Sequence, residues 1–425
     1  MSRSPLIVIL TTVFIDLVGF GIVIPVLPFY AEGTAFNATP RTVGLLFASY
    51  SIMQLIFSPV LGRLSDKYGR RPVLLISIVG TGIGFLILGF AKTLPMLFAG
   101  RILDGITGGN ISTAQAYIAD ITTKENRAMG MGLIGAAFGV GFIFGPAIGG
   151  ILSRWGIHVP FMFAAALCFA NAILLYFRLP ETVKKDRPVE HSATTGRGFG
   201  QLLSSLRQPR LAFVLTIYFL FIVAFSIMTS SFSLYTMFRF GYDAQHTGYL
   251  FAYVGVIAVI IQGGLIGRLV KRFGEIPLVI VGAFCFAISL FAVPFVGPAA
   301  GGLAGLLIGG GVFSIGNSLA TPALTTLASK SAGPDQYGTI LGVTQSVASL
   351  ARAVGPSLAA LLIASPIAHL GADGQSHYMS DYSLFVVFWT GAAIMLLAFL
   401  LAFYFSRIPE NKLITAQTDQ SARPA

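Results

Sequence analysis

Long apolar stretches separated by short polar breaks run along the whole chain. Twelve of them reach the length of about 20 residues that a helix needs to cross a bilayer. Their positions are 6–30, 44–62, 73–91, 94–118, 128–152, 159–178, 209–237, 247–267, 276–296, 300–328, 337–364 and 382–406. The pattern predicts an all-α integral membrane protein with twelve transmembrane helices.

One polar break is much longer than the others and divides the spans into two sets of six. Residues 179–208 are hydrophilic throughout, a composition typical of a flexible tether. We therefore predict a six-helix bundle over 1–178, a cytoplasmic linker over 179–208, a second bundle over 209–407 and a cytoplasmic tail over 408–425.

The two halves also resemble each other in sequence. Segment 62–72 recurs as segment 267–277, with Gly, Arg, Leu, Gly and Pro in register. The Gly-Pro pair at 145–146 recurs at 355–356. Two matching halves of this kind are typical of transporters that hold their substrate near the bilayer midplane between the halves.

The composition excludes a soluble protein, and the position of the basic residues indicates the topology. Only 10% of the residues are charged, against about 25% in a soluble chain. With the N-terminus in the cytoplasm, 21 of the 27 Lys and Arg residues lie on the cytoplasmic side and 4 on the other. This bias predicts that both termini are cytoplasmic in a multi-pass cell-membrane protein, inner or plasma. The net charge of +11 therefore indicates anionic lipids rather than nucleic acid as the partner.

The residue types that enzymes and metal sites need do not cluster in the sequence. Cys168 and Cys285 lie in apolar runs, and the five His residues fall in loops or at span ends. An enzyme needs a grouped nucleophile, base or metal set, and a sensor would need a soluble domain longer than the linker. We expect no enzymatic activity, no cofactor and no metal. The expected partners are a small-molecule substrate, protons and membrane lipids, and we expect a monomer.

Four charged residues remain inside the spans, and one of them is central to the first. Asp16 lies about ten residues into span one, about 15 Å deep, near the midplane. A carboxylate at that depth needs a partner, a water cavity or a proton. This favours a proton-coupling role for Asp16 over a purely structural one.

The other three charges leave alternatives open. Arg101 and Asp104 are three residues apart on one helix face, so they form either a packing pair or a switch in which protonation of Asp104 frees Arg101. Arg352 is the only charge clearly inside a span of the second half, away from the span ends. A structural contact between the halves is the favoured role for Arg352, and a substrate contact is the alternative.

Four motifs in order carry a resemblance to a known family. They are Asp16-x-x-Gly-x-Gly-x-x-x-Pro-x-x-Pro in span one, segment 62–72, Gly-Arg101 with three following glycines in span four, and a glycine-rich span five containing Gly-Pro. Over nearly its whole length the chain resembles the major facilitator superfamily. Within it, the chain is similar to the twelve-helix drug:proton antiporters and to the bacterial tetracycline exporters.

The resemblance implies two pseudo-symmetric bundles, alternating access and multidrug or tetracycline efflux coupled to protons. It implies proton coupling at Asp16 and links Arg101 to proton transfer. The family pattern does not include Asp104, so the role of that residue rests on its position alone. The alternative function is a pH-independent facilitator or a proton symporter of a hydrophilic metabolite on the same fold. That alternative predicts more buried charge or sugar-binding side chains, and the chain has only two Trp residues.

Two gating elements follow from the same motifs. In segment 62–72 a charge network is expected to latch the cytoplasmic side in the outward-open state, or else only to set topology. In span five, closely spaced small residues and a helix-bending proline are associated with exchange direction, or else only with tight packing. The gating candidates are Arg63, Asp66, Gly69, Arg70, Arg71, Gly145, Pro146 and Gly149.

Polar and aromatic residues in mid-span are the candidates for substrate binding. A few polar groups in an aromatic cavity suit a lipophilic, weakly charged molecule. The candidates are Tyr50, Gln54, Asn110, Gln115, Tyr117, Asn317, Gln345 and Arg352.

Overall fold

The computed structural model describes residues 3–33, 36–122, 127–182, 209–330 and 337–407. The predicted tail over 408–425 and most of the predicted linker, 183–208, lie outside the described residues. Nearly all of the described chain is helical, with one short hairpin.

The first half contains seven helices that account for the first six predicted spans. They are α1 (Arg3–Glu32), α2 (Pro40–Tyr68), α3 (Arg70–Gly89), α4 (Leu94–Thr107), α5 (Asn110–Ile121), α6 (Arg127–Leu152) and α7 (Val159–Arg178), with a 3₁₀ turn at Ser153–Trp155.

The second half repeats this arrangement. Its elements are α8 (Pro209–Phe240), α9 (Ala244–Ile260), a π-turn (Ile261–Leu265), α10 (Ile266–Phe273), α11 (Glu275–Ala292), a 3₁₀ turn (Val293–Phe295), α12 (Gly302–Lys330), α13 (Tyr337–Ile363), the strands β1 (His369–Leu370) and β2 (Ser376–His377), and α14 (Asp381–Arg407).

Local sequence explains where α2 begins and ends. The Thr39 hydroxyl accepts a hydrogen bond from the Thr42 amide, and Pro40 occupies the first helical position, where its missing N–H costs nothing. The helix ends at Gly69, whose φ of +109° lies in the region that favours glycine. Gly274, at φ +79°, ends α10 in the duplicated segment.

Ten stretches of the described chain are long and apolar enough to cross a membrane. The two remaining predicted spans fall on α6 and on the pair α4 and α5. Span four was predicted as one helix over 94–118, and the structure corrects this because the helix is broken at Gly108 and Gly109. Large side chains such as Phe177 are exposed around the bundle, which suits contact with lipid.

The two halves meet most closely at one end of the bundle. We call the end that carries segments 62–72 and 267–277 the basic end, and the other the opposite end. Near the opposite end, Gly150 of α6 packs on Gly248 of α9. A Cβ added to Gly248 would lie 2.6 Å from the Cα of Gly150. Gly44 of α2 leaves no room for a Cβ against Ala360 of α13.

Toward the basic end the described glycines of the second half face open space. A Cβ added to Gly263, Gly264, Gly267 or Gly342 would meet no atom within 4 Å. Within the described residues, therefore, the backbone-to-backbone contacts between the halves lie at the opposite end.

Candidate functional site

A cavity between the halves collects most of the charged residues found inside the spans. It contains about 520 Å³ of empty space, including the part open to solvent. Its described lining is Asp16, Leu17, Phe20, Tyr50, Gln54, Thr81, Phe85, Asp104, Gly108, Asn110, Ile111 and Arg352. The first half supplies all of these residues except Arg352.

Asp16 lies in the middle of α1 and has one partnered and one unpartnered oxygen. Its Oδ2 accepts a hydrogen bond from Nδ2 of Asn110, the first residue of α5. Its Oδ1 is buried and has no hydrogen-bond partner among the described residues. An ionised oxygen left unpaired in an apolar setting is costly, so this oxygen is suited to carry a proton or to meet a ligand donor.

Arg101 and Asp104 form a buried ion pair behind the cavity wall. The Arg101 Nη1 lies 2.8 Å from the Asp104 Oδ2, and the two side chains are 0% and 6% exposed. The guanidinium also lies over the Tyr50 ring, 4.3 Å from its centroid. Because Arg101 pairs with Asp104, the second carboxylate of the cavity has its own counter-charge, whereas Asp16 has only an amide partner.

The helix break at Gly108 and Gly109 is what shapes the cavity wall. The break leaves the Gly108 carbonyl outside the regular helical ladder, and Nε2 of Gln54 donates to that carbonyl at 2.9 Å. The same amide nitrogen donates to the Tyr50 hydroxyl at 2.9 Å. Gln54 therefore satisfies backbone freed by the break, as polar side chains must do in lipid.

Arg352 reaches the cavity from α13 in the second half. Its described hydrogen bond is from Nη2 to the Ser349 hydroxyl at 3.2 Å. Arg352 also interacts electrostatically with Tyr50 and Tyr218. Arg352 is thus a positive charge that the second half presents to the carboxylate-bearing wall of the first.

Four predicted substrate-binding residues do not line this cavity in the described structure. The Tyr117 hydroxyl is buried and donates to the Pro180 carbonyl at 3.1 Å, and the Asn317 amide oxygen accepts from Thr321 at 3.1 Å. Gln115 and Gln345 are partly buried elsewhere on α5 and α13. Polar character in mid-span predicted these residues, but only the fold decides which helix face meets the cavity.

Six lining residues were not singled out from the sequence as site residues: Leu17, Phe20, Thr81, Phe85, Gly108 and Ile111. Thr81 and Phe85 come from α3, and Phe20 stacks obliquely on Tyr50 with centroids 5.5 Å apart. Gly108 had a usable signal, because a Gly-Gly-Asn sequence inside an apolar span indicates a broken helix. Nothing in the composition distinguishes the two phenylalanines from those that face lipid.

The charge network of segment 62–72 is centred on Arg70. This guanidinium pairs with Asp66, lies 3.2 Å from Asp120 and donates to the Ser65 hydroxyl at 2.7 Å. Arg71 instead reaches the Tyr176 carbonyl on α7, and Arg63 lies on the exposed side of α2. Asp120 was missed in the sequence because it lies far from this segment along the chain.

Glu181 ties the beginning of the linker to the same segment. Its carboxylate accepts from the backbone amides of Arg70 at 2.9 Å and Arg71 at 3.1 Å, so it caps the start of α3. Gly69 makes this possible, since an added Cβ would lie 2.5 Å from the Glu181 carboxylate. The Thr182 hydroxyl completes the contact by donating to Asp120 at 2.9 Å.

Span five contacts span one through glycine. A Cβ added to Gly145 would lie 2.6 Å from the Cα of Gly21, and one added to Gly149 would lie 3.0 Å from the Ile22 carbonyl. Pro146 lies beside Gly21 within the same contact. These residues bring α6 against the helix that carries Asp16.

Comparison with known proteins identifies the family. A family model described as Major Facilitator Superfamily matches residues 9–356. The chain belongs to the major facilitator superfamily. Its all-α architecture and multiple membrane spans are those of this superfamily, which confirms the predicted fold class.

Proteins of the superfamily that resemble this chain include drug-resistance proteins. Tetracycline resistance protein, class C, from Escherichia coli is 35% identical over 371 residues, covering 86% of this chain and 91% of the relative. Tetracycline resistance protein, class H, from Pasteurella multocida is 32% identical, with coverages of 87% and 91%. Multidrug resistance protein 2 from Bacillus subtilis (strain 168) is 31% identical, with coverages of 85% and 89%.

Solved structures show the same fold at lower identity. The human organic anion transporter MFSD10 (TETRAN) superposes with a TM-score of 0.68 at 23% identity, covering 94% of this chain and 99% of that one. The nucleoside transporter NupG (D323A mutant) gives 0.74 at 14% identity, with the same coverages. The predicted resemblance to tetracycline exporters is confirmed, and the chain is a multi-pass membrane transporter of a small molecule rather than a member of an enzyme family.

Proposed function

We propose that this protein is a proton-coupled antiporter that exports amphipathic small molecules, including tetracycline-like drugs, by alternating access. The observation that carries the proposal is the unpaired oxygen of Asp16. This carboxylate oxygen is buried, and Asp16 lines a cavity shared by the two halves, where a proton and a ligand donor would compete for the carboxylate. Relatives named for tetracycline and multidrug resistance support a drug as the substrate.

Mutual exclusion at Asp16 would couple the two fluxes. A proton on Oδ1 removes both the charge and the free acceptor, so a substrate donor binds well only after the proton leaves. Substrate binding from one side therefore releases a proton, and proton binding from the other side expels the substrate. Arg101 supports this exchange because it already serves as the counter-charge of Asp104.

The remaining cavity groups would hold the substrate body. Tyr50, Gln54 and Asn110 offer hydroxyl and amide groups, with Phe20 and Phe85 as apolar surface. Arg352 adds a positive charge from the second half to the same cavity. This arrangement suits an amphipathic molecule carrying few polar groups.

The distribution of basic residues supports a cytoplasmic basic end and cytoplasmic termini. In that orientation the packed opposite end faces the exterior, and the cavity belongs to a state that loads substrate from the cytoplasm. The Asp66–Arg70–Asp120 network, capped by Glu181, would then hold the α2–α3 turn and the start of the linker as one unit during the cycle. Since one chain forms the whole cavity, we propose that the monomer is the functional unit.

Transport in proteoliposomes tests the coupling role. With a pH gradient imposed, the wild type should accumulate tetracycline against its gradient, and Asp16→Asn should abolish that accumulation while retaining counterflow exchange. The matched control is Asp243→Asn, because Asp243 is an exposed carboxylate that caps α9 outside the cavity. Undiminished accumulation by Asp16→Asn would refute the assignment, and exchange indifferent to pH in the wild type would favour a facilitator.

A further inference from the structure

A second cluster of ionisable groups lies at the opposite end, about a buried histidine. His377 is only 5% exposed, and both of its ring nitrogens contact carboxylates. Nδ1 lies 2.8 Å from Oε2 of Glu32, and Nε2 lies 2.9 Å from Oδ2 of Asp373. The cavity function described above uses none of these three residues.

The cluster joins the two halves of the molecule. Glu32 is the last residue of α1 in the first half, whereas His377 and Asp373 belong to the hairpin before α14 in the second. The hairpin is fixed to its own half, because the Ala372 amide donates to the Phe238 carbonyl of α8 at 2.7 Å. The contact of His377 with Glu32 therefore ties one half to the other, at the end where their backbones pack most closely.

The two contacts need one more proton than a neutral imidazole and two ionised carboxylates supply. Two contacts between ring nitrogens and carboxylate oxygens need two shared protons, and a neutral imidazole beside two ionised carboxylates provides only one. Without the extra proton, one contact places a nitrogen lone pair against a carboxylate oxygen. The observed arrangement is therefore the protonated form of the cluster.

We propose that Glu32, His377 and Asp373 form a proton-dependent latch that holds the two halves together at the opposite end. Proton loss leaves one shared proton for two contacts, so the His377–Glu32 contact between the halves weakens and that end is free to open. In the orientation proposed above, the latch faces the exterior, so external acid stabilises the state that is closed to the outside. It is a second protonation site, separate from Asp16.

The direction of the pH dependence follows from the surroundings of the ring. Burial disfavours the charged ring, but the hydrogen bonds with Glu32 and Asp373 outweigh this and hold the pKa of His377 above its ordinary value of 6.5. Among the described residues these two carboxylates are the ionisable groups that interact with His377, and Phe238 packs on the ring without a charge. The latch is therefore fully formed below the ordinary pKa and weakens as the pH rises through the raised one.

Distance measurements between the halves test the latch directly. Spin labels on Arg41→Cys of α2 and Tyr382→Cys of α14, both at exposed positions, report the separation at this end in a background lacking Cys168 and Cys285. From about pH 6 to about pH 9 the ratio of closed to open molecules should fall, by up to about tenfold per pH unit for one proton. An unchanged distribution across this range would overturn the proposal.

Opposite shifts in the closed population are expected for two variants of the latch. His377→Gln has no titratable ring, and its single amide nitrogen cannot donate to both carboxylates in the places of Nδ1 and Nε2, so the open population should dominate at every pH. Glu32→Gln brings its own N–H to a neutral ring, so the closed population should persist to alkaline pH. If either variant keeps the wild-type pH profile, the latch assignment is wrong. If His377→Gln does not fold, the profile of Glu32→Gln alone tests the assignment.

A matched control lies in the same hairpin. His369 pairs with His377 across the two strands but is exposed, with the Ser365 hydroxyl 3.3 Å away. His369→Gln should keep the wild-type profile, and a lost profile there would assign the effect to the hairpin instead of the latch. The latch depends on the proposed function only in one respect, namely that the halves must separate at this end. The spin-label distances can be measured without substrate and without a pH gradient. A failed transport assay and a failed latch are thus distinguishable.

Discussion

At the scale of single residues, charged groups inside the spans can be recognised in the sequence because they are rare there. A charge within an apolar span stands out, so Asp16, Asp104 and Arg352 could be named before the fold was known, and the structure places all three on one cavity. Neutral polar residues gave no such signal, because half-buried Gln115 resembles Gln54 in sequence and differs only in which helix face carries it. The partners of these residues come from helices distant in the chain, which no local pattern records.

Gln54 donates hydrogen bonds to two acceptors at the broken helix. Gln54→Leu should lower the free energy of unfolding by about 1–3 kcal/mol, because the Gly108 carbonyl and the Tyr50 hydroxyl lose their donor. Thermal unfolding in detergent measures this change. Gln262→Leu is the control, since the hydrogen bond that Gln262 makes to Ser318 within the described part of the chain is long at 3.4 Å. Equal effects of the two variants would contradict the role given to Gln54.

At the scale of elements, hydropathy predicted the twelve spans and glycine determines how closely they pack. The period and length of the apolar stretches gave the helices, but the break in span four was read as continuous because both of its parts are apolar. Gly108 and Gly109 show that a pair of glycines inside a span can end one helix and begin another at the site.

The contact between α1 and α6 yields a prediction about packing. Gly145→Ala should destabilise the protein by about 1–3 kcal/mol, because the added methyl would lie 2.6 Å from the Gly21 Cα and the helices must move apart. Gly267→Ala in α10, where the Cβ meets open space, should instead be neutral or stabilise by about 0.5–1 kcal/mol. Thermal unfolding of both variants under identical conditions checks the difference, and the same sign for both would contradict the packing account.

At the scale of the whole molecule, duplication in the sequence predicted two matching halves but not how they meet. The Gly-Pro pairs at 145–146 and 355–356 indicate the repeat in the sequence. The close packing of Gly150 on Gly248 depends instead on the conformation that the protein adopts. Glu181 could not be foreseen either, since it caps α3 from more than a hundred residues away.

Cross-linking at the opposite end tests whether the halves must separate there. A reducible bifunctional methanethiosulfonate that cross-links Arg41→Cys of α2 to Tyr382→Cys of α14, in a background without Cys168 and Cys285, should arrest transport. Reduction should restore transport. Full cross-linking with undiminished transport would mean that this end does not open during the cycle.

The central claim is that proton and substrate exclude each other at Asp16, and proton release on drug binding measures this most directly. In weakly buffered detergent solution, adding tetracycline to the wild type should release about one proton per drug bound in the pH range where Asp16 is protonated. Asp16→Asn should bind the drug without release, and Asp243→Asn should behave as the wild type. Equal proton release by the wild type and Asp16→Asn would contradict the account.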